Sequence, residues 1–576
     1  MKKTFLLSCL MLAAMPVMAA YTGHVYVDKN KNGVFDQSEK PLAGIKVSDG
    51  LNVVETAADG SFTLPGHERE RFIFITTPSG YKTFNRHYHK IEKKQSGYDF
   101  GLIPYSGRIR KDGSHRYIHI TDTEIFNTEN HADWVNNVRD YARNEQAAFI
   151  IHTGDICYEK GLKAHIKLMN TENMDCPVFY CIGNHDLVKG KYGEELFESI
   201  YGPVYYSFDA GNVHYVVTPM PGGDHAPGYT SDDVCRWLKN DLAHIRPGTP
   251  VVVFNHDLLT YEDTFIFKSK NAGSINLNEY NLKAWVYGHW HINYMKKQGD
   301  VYSVCTSSLD KGGIDHSTTA FRVMHVDSKG DFTSELRYTY LDKNICIASP
   351  AGVMASGVLP VAVNVYSSVS PVREVLYTCL ADGKSVLKNK RLLQSTDWSW
   401  NGELPLSHKY VGKELTLRVT ARFNNGEIAE AESNFICRTE KAVPLFSADW
   451  DNLSGNAKHS APVSAPLNLP LQLAWTNNVG ANLYMTSPLI HKGKVIVASV
   501  DEDLKGAGHV YALNGKDGTI LWSCPVRNSI KNSIAVDSDI VFAQDAQGFL
   551  YAIDTETGKL CWEKQLPVNG LPARSE

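Results

Sequence analysis

Along the chain the alternation of apolar and polar residues changes its rhythm several times. Residues 21 to about 105 carry short alternating runs, such as His24-Val-Tyr-Val27 and Arg71-Phe-Ile-Phe-Ile75, cut by Asp-Gly and Pro-Ser-Gly turns. A period of two between such turns predicts strands, and so a small all-β sandwich. From about 106 to 345 the runs become solidly apolar: Tyr117 to Ile120, Ala148 to Ile151, Cys176 to Ile182, Val213 to Val217, Pro250 to Phe254 and Ala284 to Tyr287. Trp134, Val135, Val138 and Tyr141 recur at helical spacing, so His131 to Arg143 predicts a helix between the first two. Strands interleaved with helices predict an α/β unit, whose polar strand-to-loop junctions are where open sheets place their sites. Residues 346 to about 445 return to alternation, in Val361 to Val365, Val375 to Leu380, Leu415 to Thr420 and Ile428 to Cys437, and predict a second sandwich.

A Ser-, Pro- and Ala-rich linker, Ser454 to Leu469, opens the last stretch, 446–576. There Tyr511-Ala-Leu-Asn-Gly-Lys-Asp-Gly-Thr-Ile-Leu-Trp522 recurs 40 residues later as Tyr551-Ala-Ile-Asp-Thr-Glu-Thr-Gly-Lys-Leu-Cys-Trp562. That period belongs to propeller-like arrays. About two and a half blades fit before Glu576, and an open fan leaves strand edges unpaired, so the expectation is a truncated chain or a fan completed by another chain.

The first twenty residues stand apart. Lys2-Lys3, the apolar Phe5 to Met15 and the small-residue Val17-Met18-Ala19 read as a secretory signal peptide cleaved after Ala19 or Ala20. Later apolar runs fall short of the roughly 18 residues of a membrane span, so a periplasmic or extracellular protein without a span is expected. A length of 576 residues implies roughly three to five domains. A net charge of -5 with 21% charged residues excludes the basic footprint of a nucleic-acid binder. Oligomeric state is not legible. The cysteines are scattered, without a CxxC; Cys379 with Cys437, or Cys176 with Cys181, are candidate pairs, and free buried thiols are the alternative.

Two sets of residues carry candidate chemistry. Asp28, Asn30, Asn32, the Val34 carbonyl, Asp36 and Glu39, with Gly33 at the sharp turn, match a calcium loop position by position, although helices are not expected to flank it. In the central unit, Asp122-Thr-Glu124, Gly154-Asp155, Gly183-Asn184-His185-Asp186, Asn255-His256-Asp257 and Gly288-His289-Trp290-His291 each follow an apolar run. One such cluster is ordinary turn chemistry; together they offer the mixed nitrogen and oxygen donors that suit divalent transition metals.

In that order the clusters resemble the motifs of calcineurin-like metallophosphoesterases, over roughly residues 120 to 291, and Tyr206-Ser-Phe-Asp-Ala-Gly-Asn-Val-His-Tyr215 resembles the family's strand pair between its third and fourth motifs. The first module is similar to carboxypeptidase-regulatory-like and Cna-B-like sandwiches, and the last stretch to PQQ-like propeller blades. The resemblance implies a multidomain α+β chain. Residues 1–20 would be the signal peptide and 21–105 a sandwich with the calcium loop. A four-layer α/β/β/α metallophosphoesterase sandwich would follow at 106–345, a β-sandwich at 346–445, and propeller-like repeats at 446–576.

It further implies two divalent ions (Mn, Fe or Zn), with Asp122, Glu124, Asp155 and His291 at the first and Asp155, Asn184, His256 and His289 at the second. A hydroxide bridging them would attack phosphorus in line. His185 would serve the leaving group and Asp186 would orient His185. Glu124 departs from the family's usual histidine, and a harder, charged ligand there favours Mn²⁺ and a weaker first site. Tyr158, Asp224, His225, Asp310 and His316 lie in loops of the kind that shape such pockets, with structural roles as the favoured alternative for each, and the backbone amides of Thr306 to Gly313 would border the phosphate. The expected function is a secreted phosphoesterase acting on a small-molecule, lipid or nucleotide phosphate ester. The alternative is an inactive protein that binds glycans or proteins.

Overall fold

The protein is described from a computed structural model covering residues 20–93, 95, 97–439, 448–460, 473–484 and 486–567. The expected signal peptide, residues 1–20, lies outside them except for its last residue, as does most of the linker. The described chain is mostly sheet with few helices.

Two sheets dominate the centre. In the first, His115–Ile120 lies parallel to Phe149–His152, which lies parallel to Val178–Tyr180, and the antiparallel Ala320–Val326 and Phe332–Tyr338 extend the other edge. In the second, Val213–Val217, Val251–Phe254, Leu282–Tyr287 and Val301–Cys305 run parallel, flanked by the antiparallel Tyr206–Ala210 and Tyr294–Gln298. Parallel strands buried on both faces need continuous apolar sequence, which is why these runs do not alternate.

An aromatic core joins the sheets. Tyr117 stacks on Phe149 at 4.8 Å between ring centres, and both meet Tyr215 of the second sheet edge-on. On the other face of the first sheet, helix Ala132–Asn144 buries Trp134, Val135, Val138, Tyr141 and Ala142 among Ile118, Ile120 and Ile150. Full burial of such a large side chain contributes about 1.5–3 kcal/mol. Helix Ser231–Ala243 lays Trp237, Leu238 and Leu242 into the core of the second sheet. Thr230 starts that helix by accepting from Asp233 N, while the Asp233 side chain accepts the Thr230 amide. Helices Tyr158–Leu168, Glu195–Tyr201 and Ser231–Ala243 were not expected from periodicity. Their surfaces mix buried polar residues such as Glu198 and Asp241 into the apolar stripe.

The remaining sheets lie around this centre. Residues 21–104 form two small sheets around Val25, Val47, Ile73, Ile75 and Leu102. Phe72, Phe74 and Tyr88 continue into the central core, and Arg71 pairs with Glu194 and Glu198. Residues 344–438 form two sheets around a core that includes Trp400, Leu417 and Phe435. Two four-stranded meanders follow, from Leu489–His491 to Ile520–Pro525 and from Ala535–Asp537 to Leu560–Gln565. The 40-residue repeat has a physical basis: Trp522 of the first meander donates from Nε1 to the Thr555 carbonyl of the second. Among the described cysteines all are free, so neither Cys379–Cys437 nor Cys176–Cys181 is a disulfide. These four thiols are buried as small apolar side chains.

Candidate metal centre

The five polar clusters sit at the C-terminal ends of parallel strands in both sheets, so one end of the molecule gathers them. Their loops approach closely. A side chain at Gly183 would fall 2.2 Å from Asp155 Oδ1, and one at Gly288 would fall 1.9 Å from Thr121 Oγ1. Only glycine fits at either position. The backbone is also strained: Asp122, Glu124, Asp155, Cys157, Tyr158, His289 and His291 have φ between 43° and 77°. Each such residue costs about 1–3 kcal/mol and persists only where its surroundings hold it, which is characteristic of functional sites.

The donor atoms converge. His256 Nε2 lies 3.1 Å from Asp155 Oδ2, 3.1 Å from Asn184 Oδ1 and 4.0 Å from Asp122 Oδ1. Its Nδ1 lies 2.8 Å from the Thr153 carbonyl, so it carries a proton there, and Nε2 is the nitrogen that would face a metal. Atoms of Asp155, His256 and His289 lie within 4.8 Å of one another, as do atoms of Glu124, Asp155 and His185, which makes Asp155 the shared member. His291 Nε2 is 3.3 Å from Asp122 Oδ1 and 3.7 Å from Glu124 Oε1. Burial opposes charge at His256 and Asp155 alike, yet each partner stabilises the ionised form of the other, raising His256 and lowering Asp155. Burial and the neighbouring His256 push His289 down. Seven expected ligands thus share one pocket, and the donor set fits divalent metal ions.

His185 borders this pocket, but its support is not the one expected. Asp186 is fully buried, and its oxygens accept the Gly183 and Cys157 amides at 2.9 Å each. Asp224 takes the expected place, with Oδ2 2.8 Å from His185 Nδ1. The turn after Gly183 folds the Asp186 side chain back into its own loop, so sequence adjacency misled.

Residues 115–293 match the family model described as "Calcineurin-like phosphoesterase", and residues 29–104 match "N terminal of Calcineurin-like phosphoesterase". The chain carries a calcineurin-like phosphoesterase domain. Residues 472–575 match "Outer membrane protein assembly factor BamB". Among curated proteins, purple acid phosphatase 13 of Arabidopsis thaliana is 26% identical over 215 residues, which are 35% of this chain and 36% of that one. The chain thus spans about a third of the length of this curated relative. Two solved structures are also similar. A conserved Streptococcus pneumoniae protein described as a predicted phosphoesterase is 12% identical, covering 39% of this chain and 98% of that one, at a TM-score of 0.19. BamB from Moraxella catarrhalis is 12% identical, covering 42% and 58%, at 0.13.

Within the phosphoesterase domain, Glu124 has a partner that the sequence did not announce. Lys311 Nζ lies 2.7 Å from Glu124 Oε2, while Oε1 faces His291. The stretch Thr306 to Gly313 therefore reaches the centre through a cation. Phe126 and Tyr158, both exposed, stack at 6.2 Å, and Tyr158 lies 5.3 Å from the His185 ring. Phe126 was missed and Tyr158 was expected. Asp310 instead accepts from Tyr340, and His316 donates its amide to the Gly313 carbonyl. His119 and His152 are buried, neutral and bonded to Thr153, Thr306 and Thr123; they brace the loops from behind.

The Asp28–Glu39 loop gathers its donors in one turn. Asp28 accepts the Asn32 and Gly33 amides, Glu39 accepts those of Lys29 and Asp36, and Asn30 and Asn32 reach Asp36. Val34 is exposed. The carboxylates of Asp28, Asp36 and Glu39 are not among the close groups found elsewhere in the described residues.

Proposed function

We propose that the protein is a metal-dependent phosphoric ester hydrolase that works on one side of a four-layer α/β/β/α sandwich. The observation that carries this reading is the approach of Asp155 Oδ2 and Asn184 Oδ1 to the same His256 Nε2, whose other nitrogen is tied to a carbonyl. Asp122, Glu124, Asp155 and His291 would hold one ion and Asp155, Asn184, His256 and His289 a second. Divalent ions at such a site neutralise phosphate charge and acidify water. His185, fixed at Nδ1 by Asp224, offers its other nitrogen to the leaving-group oxygen. Lys311 offsets the negative charge that Glu124 brings to the pocket. Tyr158 and Phe126 line the approach on the leaving-group side.

The domain limits near 105, 345 and 445 are supported by the cores around Val25 and Leu102, around Leu417 and Phe435, and around Val510 and Ile553, although Phe72, Phe74 and Tyr88 join the central one. Export to the periplasm or beyond is supported by the sequence of the first twenty residues. Among the described residues no helix is long and apolar enough to cross a membrane. In the first module the reading is a structural calcium held by Asp28, Asn30, Asn32, Val34, Asp36 and Glu39. Calcium should raise the melting temperature of the chain and not that of Glu39→Gln.

The test of the main reading is hydrolysis of p-nitrophenyl phosphate and bis-p-nitrophenyl phosphate by metal-stripped protein given Mn²⁺, Fe²⁺ or Zn²⁺. Turnover that appears with metal and is lost in His256→Ala is expected. No turnover on a broad ester panel with any of these ions would leave a binding protein as the better reading.

A further inference from the structure

The repeat segment at the C-terminal end has a place in the phosphoesterase domain that its own repeats do not explain. Lys531, in the loop between the two meanders, is 6% exposed. Its ammonium has three donors and meets three oxygens: Asp315 Oδ2 at 2.6 Å, the Asn293 carbonyl at 2.8 Å and Glu502 Oε1 at 2.9 Å. Burial opposes the charge, and the Glu502 and Asp315 carboxylates hold the group protonated. Asp315 and Glu502 are themselves buried. A buried ammonium is costly unless fully paired, so this loop is held in one position.

Two of the three oxygens flank a candidate metal ligand. Asn293 follows His291 by two residues. Asp315 follows Ile314, whose amide donates to the His291 carbonyl at 2.9 Å. His291 has φ of 51°, a conformation that must be imposed from outside. Asn293 Oδ1 also accepts the Ser307 amide, and Asn528, three residues before Lys531, donates to the Met295 carbonyl. The strand after His291 and the loop from Ser308 to Ser317 are thus fastened to each other and to the repeats by one side chain. That loop also carries Lys311, the partner of Glu124.

We propose that Lys531 is a positioning residue of the metal centre: the repeat segment fixes His291, and with it the ion that Asp122, Glu124, Asp155 and His291 would hold. The proposal rests on the metal-centre reading above. It assigns the repeats a role inside the same chain, where a propeller fragment alone suggests only an outside partner. In the second set, Asp155, Asn184, His256 and His289, the buried His256 is tied instead to the Thr153 carbonyl.

Mn²⁺ titration of the metal-free full chain, followed by electron paramagnetic resonance, tests this. The phase abolished by His291→Ala belongs to the first ion. Lys531→Met should weaken that phase about tenfold or more, the scale of lost support behind a ligand, and leave the other within about twofold. Asp315→Asn, which keeps the volume of its side chain, should give the same split more mildly, and carries the test if Lys531→Met does not fold. Lys494→Met breaks the 2.5 Å pair with Glu556 inside the repeats and should leave both phases unchanged. Equal weakening of both phases, or an equal effect of Lys494→Met, would overturn the proposal, as would unchanged binding in Asp315→Asn. Absence of any Mn²⁺ binding in the unaltered chain would instead remove the metal-centre reading itself.

Discussion

His185 Nδ1 lies 2.8 Å from Asp224 Oδ2, while Asp186, next to it in sequence, faces the opposite way into its own loop. An imidazole whose one nitrogen is held by a carboxylate keeps its ring orientation and presents the other nitrogen in a fixed direction. Asp224→Asn should therefore lower kcat about 10–100-fold with metal content unchanged, and His185→Ala should lower it further. Metal analysis beside steady-state kinetics checks both. Loss of metal in either variant would place His185 among the ligands.

Asp186 predicts a different phenotype. Its two oxygens satisfy two buried amides that hold the Gly183 and Cys157 turns, and burial followed by the Asp155 charge pushes its carboxyl up to about 7. Asp186→Asn offers one oxygen for two amides, and an unmet buried amide costs about 1–3 kcal/mol. The expected result is a lower melting temperature together with reduced metal occupancy, since Asp155 and Asn184 lie on the same turns. A variant with normal stability and low kcat would return to Asp186 the orienting role that the sequence suggested.

The contrast between these two aspartates shows what sequence could reach. The strand-end motifs were legible because buried parallel strands must be apolar and the polar residues after them interrupt that run abruptly. The proposed ligand set is what the resemblance carried by their order implies. Asp224 and Lys311 were not legible as partners because each reaches the pocket from a loop about 40 or 190 residues from the side chain it meets. The helix Ser231–Ala243 was missed for a related reason: Asp241, on its buried face, is satisfied by Ser207 and His214 across the fold, so the apolar stripe is broken in sequence and whole in space.

Glu124 leads to a third prediction. Its Lys311 partner offsets part of the added charge and also competes for one of its oxygens. The first ion should bind less tightly than the second. Glu124→His should tighten it, and the double variant Glu124→His with Lys311→Met should tighten it further by removing a cation left without its carboxylate. Calorimetric titration with Mn²⁺ gives the order of the three affinities. An unchanged first phase in Glu124→His would mean that Glu124 serves Lys311 and not the metal.

The last prediction concerns pH and lies away from the metal centre. His214, buried on strand Val213–Val217, has Nδ1 2.7 Å from Asp209 Oδ1 and Nε2 2.8 Å from Asp241 Oδ2. Burial opposes the imidazolium, but Asp241 and Asp209 overcome it and hold His214 up to about 9, from an ordinary value of 6.5. A histidine raised on folding stabilises fully below its unfolded value, and that stabilisation is lost as pH rises through the folded one. The window is therefore about pH 6.5 to 9, over which the loss is on the order of 3 kcal/mol. Asp241, lowered against burial by the same partner, works in the opposite direction: its share is present above the usual carboxylate range and is lost as pH falls. Urea unfolding of the metal-free chain at pH 6 and pH 9 should show the alkaline loss in the unaltered protein. His214→Gln should flatten that limb, because no proton is then released there. An unchanged alkaline slope in the variant would mean that another group titrates with unfolding.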